Sequence, residues 1–155
     1  MTQSDFIRNY WPLAYRAGLK FDINPTVILA QAATESGLGN SYGAKYRNNF
    51  FGIIATKKTS EYWSGKKSQS KSSGLWFRVY NSAQDSFYDF ARLISSKYAE
   101  AAKVSHNPAK YARAIAYSSY ISEKNGDNRP AYEKAIITFS NAIDGTEKKN
   151  PDGQV

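Results

Sequence analysis

The spacing of apolar residues predicts helices in the first third of the chain. Residues 5–19 carry apolar side chains three or four positions apart, which is helical periodicity, and Pro12 marks a point where that helix would kink or split. An Asn-Pro pair at 24–25 is typical of a helix start. This second helix runs through an apolar stretch to Glu35, and glycines from Gly37 onward predict its end.

The middle of the chain changes character. Residues 48–80 are rich in Gly, Ser, Thr and aromatic residues. Short apolar runs at 50–54 and 75–80, with a third at 61–63, are typical of strands, and Ser-Gly sequences between them predict turns. We therefore expect a small antiparallel hairpin region here.

Helical periodicity returns in the last third. Helix starts are predicted at Ser82, Asn107 and Pro130, and Gly145 is expected to end the last helix. Residues 146–155 lack apolar anchors, so we expect a frayed tail behind a single domain of residues 1–145. Helices, a small hairpin and more helices predict an α+β domain that is mostly α.

The positive net charge of the chain favours polyanionic partners but does not distinguish between them. The net charge is +8 and the pI about 9.6, which favours polyanions such as nucleic acid, anionic membrane or cell-wall polymer. The basic residues are scattered, and no nucleic-acid motif is present. No apolar stretch is long enough to span a membrane. We expect neither nucleic acid nor membrane insertion, although a DNA-binding domain is an alternative that salt-dependent binding would reveal.

The sequence argues against a metal site and against a Ser-His-Asp catalytic triad. There is no Cys, and His106 is the single His. A His-based metal site needs clustered ligands, and a Ser-His-Asp triad would have to use His106, which sits at a predicted helix start. We expect no metal and no cofactor.

Glu35 is the strongest candidate for acid–base chemistry. It shares a helix face with Ile28 and Ala32, so the helix carries it toward the core, at a C-terminal end that is partially negative. Burial and the helix dipole both disfavour a carboxylate and raise its pKa, which suits a group that must protonate a leaving oxygen. The competing interpretation is an exposed glutamate at a helix end.

Several ordered segments resemble the family 73 glycoside hydrolases, the bacterial endo-β-N-acetylglucosaminidases. Residues 30–41 (AQAATESGLGNS) resemble the catalytic motif, and residues 49–53 resemble the Asn-x-Phe-Gly-Ile block. Residues 77–80 are similar to the Phe-Arg-x-Tyr block, and residues 119–123 are a weaker match to the Gly-Tyr-Ala-Thr-Asp segment. The matches span roughly residues 25–140, in order.

The resemblance implies a lysozyme-like fold, with the hairpin lobe beside a catalytic cleft. It implies cleavage of the β-1,4 bond between N-acetylglucosamine and N-acetylmuramic acid in peptidoglycan. We expect the chain to be a monomer. Glu35 would be the general acid and Tyr120 an active-site tyrosine, unless Tyr120 is simply packed. The expected substrate-binding residues come from the second block and the hairpin region: Asn49, Phe51, Tyr62, Trp63 and Trp76. A turn role for Asn49 and core packing for Trp76 are equally open.

The sequence departs from the family at the second carboxylate. Many members carry a Glu on the hairpin, whereas residues 66–73 here contain no acid, and Glu61 is the carboxylate of the hairpin region. Glu61 could activate water in an inverting reaction, with the carboxyls roughly 6.5–9.5 Å apart. The N-acetyl group of the substrate could instead be the nucleophile, or Glu35 alone could serve as acid and then base. An exposed strand glutamate is the other interpretation of Glu61.

Other functions on the same fold stay open at this stage. A muramidase or lytic transglycosylase would use a similar Glu-Ser motif, and a module that only binds glycan would keep the groove without turnover. The chain is expected to act at the cell wall, in the periplasm or outside the cell. A lone domain without a signal peptide is typical of a phage lysis enzyme or an injected effector, and equally of a fragment of a larger autolysin.

Overall fold

The computed structural model describes residues 1–122 and 126–151, so Glu123 of the fourth matching segment lies outside the described residues. The described chain forms seven helices and one two-stranded antiparallel sheet, in the following order: α1 Gln3–Phe21, α2 Pro25–Ser36, α3 Tyr42–Arg47, β1 Lys67–Gln69, β2 Trp76–Arg78, α4 Ala83–Lys97, α5 Ala99–Lys103, α6 Pro108–Ala116 and α7 Arg129–Asp144. The predicted architecture, α+β and mostly α, is confirmed. None of the described helices is both long and apolar enough to cross a membrane.

Helix α1 is longer than the apolar pattern predicts. Thr2 caps its N-terminus: its hydroxyl accepts a hydrogen bond from the backbone N–H of Asp5, and the Asp5 carboxylate accepts one from the backbone N–H of Thr2. The helix is continuous through Pro12, so the expected split does not occur. Its apolar face, with Phe6 and Trp11, packs on the core.

Helix α2 is the central helix and contacts α1, α6 and α7. Every residue from Thr26 to Ala33 is buried, because neighbours cover it on all sides. Asn24 caps its start through the backbone N–H of Thr26, and Gly37 ends it with φ 55°, a left-handed conformation that suits glycine. A Cβ at Gly18 would lie 2.4 Å from the carbonyl oxygen of Ile23, so only glycine permits this tight connection between α1 and α2.

The hairpin lobe, formed by residues 48–80, has less regular structure than predicted. Strands β1 and β2 pair with Ser68 opposite Phe77. The strands predicted at 50–54 and 61–63 are wrong, because those segments form only single bridges, Ile54 with Phe77 and Ser60 with Trp63. At 50–54, side-chain hydrogen bonds from Asn49 occupy the backbone of Ile53 and compete with strand pairing.

A buried carboxylate joins the hairpin lobe to the helices. Asp89 of α4 accepts hydrogen bonds from Arg78 at 2.8 Å, Tyr80 at 2.5 Å, Ser60 at 2.7 Å and Arg92 at 2.9 Å. Burial alone would raise the pKa of Asp89, but these hydrogen bonds and the Arg78 charge outweigh it and lower the pKa. The lobe is therefore anchored on α4 through one ionised group.

The ends of the remaining elements follow local signals. Side chains of Ser82 and Asn107 cap α4 and α6, as predicted. Asn128 caps α7, which begins at Arg129, one residue before the predicted start at Pro130. The short helices α3 and α5 were not predicted. Residues 146–151 also differ from the expected frayed tail: Asn150 accepts a hydrogen bond from the Trp11 indole at 3.1 Å, and Lys148 Nζ lies 4.7 Å from the centre of that ring.

Candidate active site

Glu35 lies in the last turn of α2, with its carboxyl group largely removed from solvent. Burial raises its pKa above the ordinary value, a hydrogen bond from Tyr132 lowers it, and the negative charge of Asp127 raises it further. The net shift is upward. Glu35 thus combines partial burial with a preference for the protonated form.

A chain of hydrogen bonds holds Glu35 in place. The hydroxyl of Tyr111, fully buried in α6, donates to Oε1 of Gln31, and Nε2 of Gln31 points to the Tyr132 hydroxyl at 3.1 Å. An amide nitrogen can only donate, so the Tyr132 hydroxyl accepts from Gln31 and gives its own proton to Oε1 of Glu35, at 2.6 Å. No described residue hydrogen-bonds the other oxygen, Oε2, which is therefore the oxygen free to carry a transferable proton.

Glu35 opens into a cavity of about 290 Å³ with an aromatic wall. The ring of Phe51 stacks on Phe90 with centroids 3.9 Å apart and forms part of this wall. The residues lining the cavity that matter chemically are Glu35, Asp127, Tyr98, Tyr120 and Tyr132. Two carboxyl groups, hydroxyl groups and ring faces in one concave site suit a sugar, whose ring has apolar faces and many hydroxyls.

A second cavity, of about 170 Å³, continues from Glu35 toward the hairpin lobe. It is lined by Glu35, Ser41, Gly43, Arg47, Asn49, Gly52 and Phe77. Glu35 and Gly52 belong to both cavities. Glu35 therefore lies between two adjoining cavities, together called the groove, and a chain-like ligand could occupy both.

Four of the predicted site residues lie along this groove: Glu35, Tyr120, Phe51 and Asn49. The ring of Tyr120 packs edge-on against Tyr98, and burial together with the Glu35 charge raises the pKa of its hydroxyl far above the usual value. Asn49 is buried, and its amide bonds the backbone of Ile53 and Arg78. Asn49 therefore shapes the groove wall, and its amide group is already hydrogen-bonded to the protein backbone.

Trp63 does not have the predicted role in sugar binding. It is 2 % exposed, its indole N–H donates to the Lys66 carbonyl at 2.7 Å, and the Arg78 guanidinium lies 4.3 Å from its ring centre. The prediction that Trp63 lines a subsite is wrong, because the side chain has almost no exposed surface and its indole N–H is already bonded within the protein.

The other three predicted residues lie outside both cavities. Tyr62 packs against Phe21 and Tyr88, and Glu61 beside it is exposed, within electrostatic range of Lys20. Trp76 is 45 % exposed on β2, with Lys67 Nζ 5.1 Å from its ring centre. The structure does not bring Glu61 to Glu35, since the turn that carries it faces the C-terminal end of α1.

Sequence reasoning missed Asp127, Tyr132 and Arg47. Tyr132 looks like one more apolar position on the last helix, and Asp127 sits in a loop that carries no motif. Nothing local marks either residue, because their partners lie far away along the chain. Among the residues the structure describes, no group of three or more His, Cys, Asp or Glu side chains could hold a metal ion.

The comparison with protein families agrees with this geometry. The model of the family Glucosaminidase, described as mannosyl-glycoprotein endo-beta-N-acetylglucosaminidase, matches residues 11–144. The peptidoglycan hydrolase FlgJ of Pseudomonas aeruginosa is 25 % identical over 151 residues, which cover 88 % of this chain but 36 % of that protein. The chain thus spans about a third of the length of this relative.

Solved structures place the fold among known hydrolases. The glycoside hydrolase domain of FlgJ from Salmonella typhimurium has a TM-score of 0.72 at 23 % identity, covering 94 % of this chain and 90 % of that one. At this identity the likeness concerns the fold alone. A peptidoglycan hydrolase from Sphingomonas sp. A1 is 26 % identical with a TM-score of 0.67, covering 93 % of this chain and 92 % of that one. The expected lysozyme-like glycoside hydrolase fold is confirmed.

Proposed function

The chain belongs to the glucosaminidase family of glycoside hydrolases, and on that premise we propose that it hydrolyses the β-1,4 bond between N-acetylglucosamine and N-acetylmuramic acid in peptidoglycan. The observation that carries the proposal is the half-buried Glu35 carboxyl group, with its raised pKa, between two adjoining cavities with an aromatic wall. Relatives named as peptidoglycan hydrolases support the choice of substrate. The site of action would be the cell wall.

Glu35 acts as the general acid. Because its pKa is raised, Glu35 keeps its proton to a higher pH than an ordinary glutamate and can give it to the glycosidic oxygen as the bond breaks. Tyr132 holds Oε1, so the proton resides on Oε2. Protonation of the leaving oxygen by a positioned acid accelerates such reactions by about 10²–10⁴-fold.

The aromatic wall positions the sugar on the acid. Tyr120 offers ring surface for the apolar faces of a pyranose and sits near enough to Glu35 for the two groups to interact electrostatically. Phe51 is 2 % exposed and stacks on Phe90, so it supports the wall and leaves little surface for the sugar itself. Burial keeps the Tyr120 hydroxyl protonated, so it serves as a hydrogen-bond donor to a sugar oxygen. Trp76, on the exposed face of β2, remains a proposed outer contact with the glycan.

The second step does not use Glu61 in this mechanism. Glu61 lies outside both cavities and is not placed to activate water there, whereas Asp127 lines the cavity with Glu35 and acts on its charge. We assign the role of nucleophile to the N-acetyl group of the substrate, a route in which no protein carboxylate attacks the sugar. This route retains the anomeric configuration of the product. NMR of the first-formed product tests it: retention is expected, and inversion would mean that a carboxylate activates water, for which Asp127 in the Glu35 cavity is a better placed candidate than Glu61.

The nature of the new chain ends tests the function itself. Purified peptidoglycan is digested, the products are reduced with borohydride, and the ends are identified by mass spectrometry, with Glu35→Gln as the control. We expect N-acetylglucosaminitol ends that are absent with the variant. Reduced muramic ends would mean a muramidase and anhydro-muramic ends a transglycosylase. Absence of products from several walls would leave a module that only binds glycan.

A further inference from the structure

Arg47, at the end of α3, is a buried cation without an anionic partner. It is 7 % exposed, and no carboxylate of the described residues lies within 4.0 Å of its guanidinium. Arg78 provides the contrast, since it is equally buried and pairs with Asp89 at 2.8 Å. Because an unpaired buried charge is costly, a guanidinium kept in this state implies a partner that arrives from outside.

The guanidinium of Arg47 is held rigidly. Its Nε donates to the Ser68 hydroxyl at 2.6 Å. The rings of Tyr42 and Phe77 lie 4.7 and 5.1 Å from its central carbon and hold its plane. Neither terminal nitrogen, Nη1 nor Nη2, donates to any described residue. A planar group with two free donors in a fixed orientation is prepared for bidentate recognition of a carboxylate.

Arg47 also lies where it can meet the substrate. It lines the cavity that contains Glu35, and it lines a further cavity of about 320 Å³ on the hairpin lobe, with Tyr42, Gln69 and Lys71. A Cβ added at Gly43, which lines the Glu35 cavity, would lie 3.9 Å from Nη1. Nη1 therefore sits beside the groove, between the acid and the hairpin.

We propose that Arg47 binds a carboxylate carried by the muramic residue on the hairpin side of the cleaved bond. The proposal rests on the proposed function. Two sources share this chemistry: the free lactyl carboxylate of a peptide-free muramic residue, and a carboxylate of the stem peptide attached there. Arg47 thereby makes the enzyme selective for strands that carry a negative charge at this sugar, and Lys71 adds a positive field behind it.

The test compares soluble oligosaccharides that differ only at the muramic residue: lactyl acid, neutral lactyl amide, and lactyl peptide with free or amidated carboxylates. For the wild type we expect kcat/KM about tenfold or more higher on charged than on neutral substrates, the size of one charge-assisted hydrogen-bond pair. The lactyl and peptide arms identify which carboxylate binds. Equal values of kcat/KM on charged and neutral substrates would overturn the proposal.

Two variants test whether Arg47 recognises the substrate carboxylate or only supports the fold. Arg47→Gln should lower kcat/KM on charged substrates by more than on neutral ones, so that the ratio of the two values falls to about one, whereas Lys45→Gln, an exposed cation on the same helix, should keep the wild-type ratio. A loss shared equally by both substrates would contradict the proposal. If Arg47→Gln does not fold, the substrate comparison on the wild type still decides.

Calorimetry of the binding of the lactyl acid and lactyl amide oligosaccharides tests the Arg47 site separately from the proposed hydrolytic function. If the wild type hydrolyses nothing, the proposed function fails, and the affinity difference still tests Arg47. About tenfold tighter binding of the acid would support the Arg47 site in either case. Equal affinities would reject it.

Discussion

The hydroxyl of Tyr132 donates a 2.6 Å hydrogen bond to Oε1 of Glu35 and joins α7 to the last turn of α2. The bond stabilises the ionised carboxylate and so works against burial, which disfavours it. Because Gln31 occupies the lone pair of Tyr132, the direction of this bond is set. The acidity of Glu35 is therefore a balance of opposing contributions from named neighbours.

Tyr132→Phe should raise the pKa of Glu35, because it removes the contribution that lowers this pKa. A general acid works while protonated, so activity is lost as the pH rises through its pKa, and the alkaline limb of the kcat/KM profile should move to higher pH. Asp127→Asn is the matched opposite: it removes a negative charge that raises the pKa, so the limb should move to lower pH. Shifts of the same sign in both variants would refute this electrostatic account.

Glu35→Gln should stabilise the protein at neutral pH while it abolishes hydrolysis. The pKa of Glu35 is raised by folding, so its contribution to stability is present below the unfolded value of 4.5 and is lost as the pH rises through the folded value. Gln is neutral throughout and can still accept from Tyr132. We expect a Tm gain at pH 8 of a few degrees, since about 1 kcal/mol corresponds to about 2–4 °C for a domain of this size.

The gain should vanish at pH 4 or below, where Glu35 is protonated in both states. Thermal unfolding at the two pH values measures it. Glu61→Gln makes the same chemical change on an exposed side chain and should show no such pH-dependent difference. A variant that is less stable than the wild type at pH 8 would contradict the sign.

Asp89→Asn should cost about 3–5 kcal/mol in the free energy of unfolding, because it leaves the buried guanidinium of Arg78 without its partner. Since the pKa of Asp89 is lowered in the folded protein, its stabilisation is present at neutral pH and is lost as the pH falls below its ordinary value of 3.8. Urea unfolding at pH 7 measures the cost. Asp85→Asn, in the first turn of the same helix, is the control and should cost about 0.3–1 kcal/mol.

Replacing the two tryptophans of the hairpin lobe by alanine should affect different properties, stability for Trp63 and glycan binding for Trp76. Trp63→Ala should destabilise the fold by about 3–5 kcal/mol, because it leaves a cavity beside Arg78. Trp76→Ala should change stability by less than about 1 kcal/mol, because the ring is 45 % exposed, and should weaken glycan binding. Urea unfolding and glycan calorimetry separate the effects. Unchanged glycan affinity in Trp76→Ala would remove this residue from the proposed outer contacts.

The sequence by itself determined the features that depend on neighbouring residues. The cap at Asn24, the end of α2 at Gly37 and the helix starts at Ser82 and Asn107 were predicted, since the partner atoms lie within a few positions. The placement of Glu35 toward the interior followed from its spacing with Ile28 and Ala32. Family motifs then indicated the fold and the cleft.

Only the tertiary structure decided which side chains meet at the site. Tyr132 reaches Glu35 across 97 positions, and Asp127 enters the cavity from a loop that carries no local signal. Trp63 and Trp76 look alike in sequence, yet one is enclosed and the other exposed, because Asp89 draws Arg78 across the face of Trp63. Local patterns report the energetics of a few consecutive residues, whereas burial, acidity and the free guanidinium of Arg47 depend on elements packed together from distant parts of the chain.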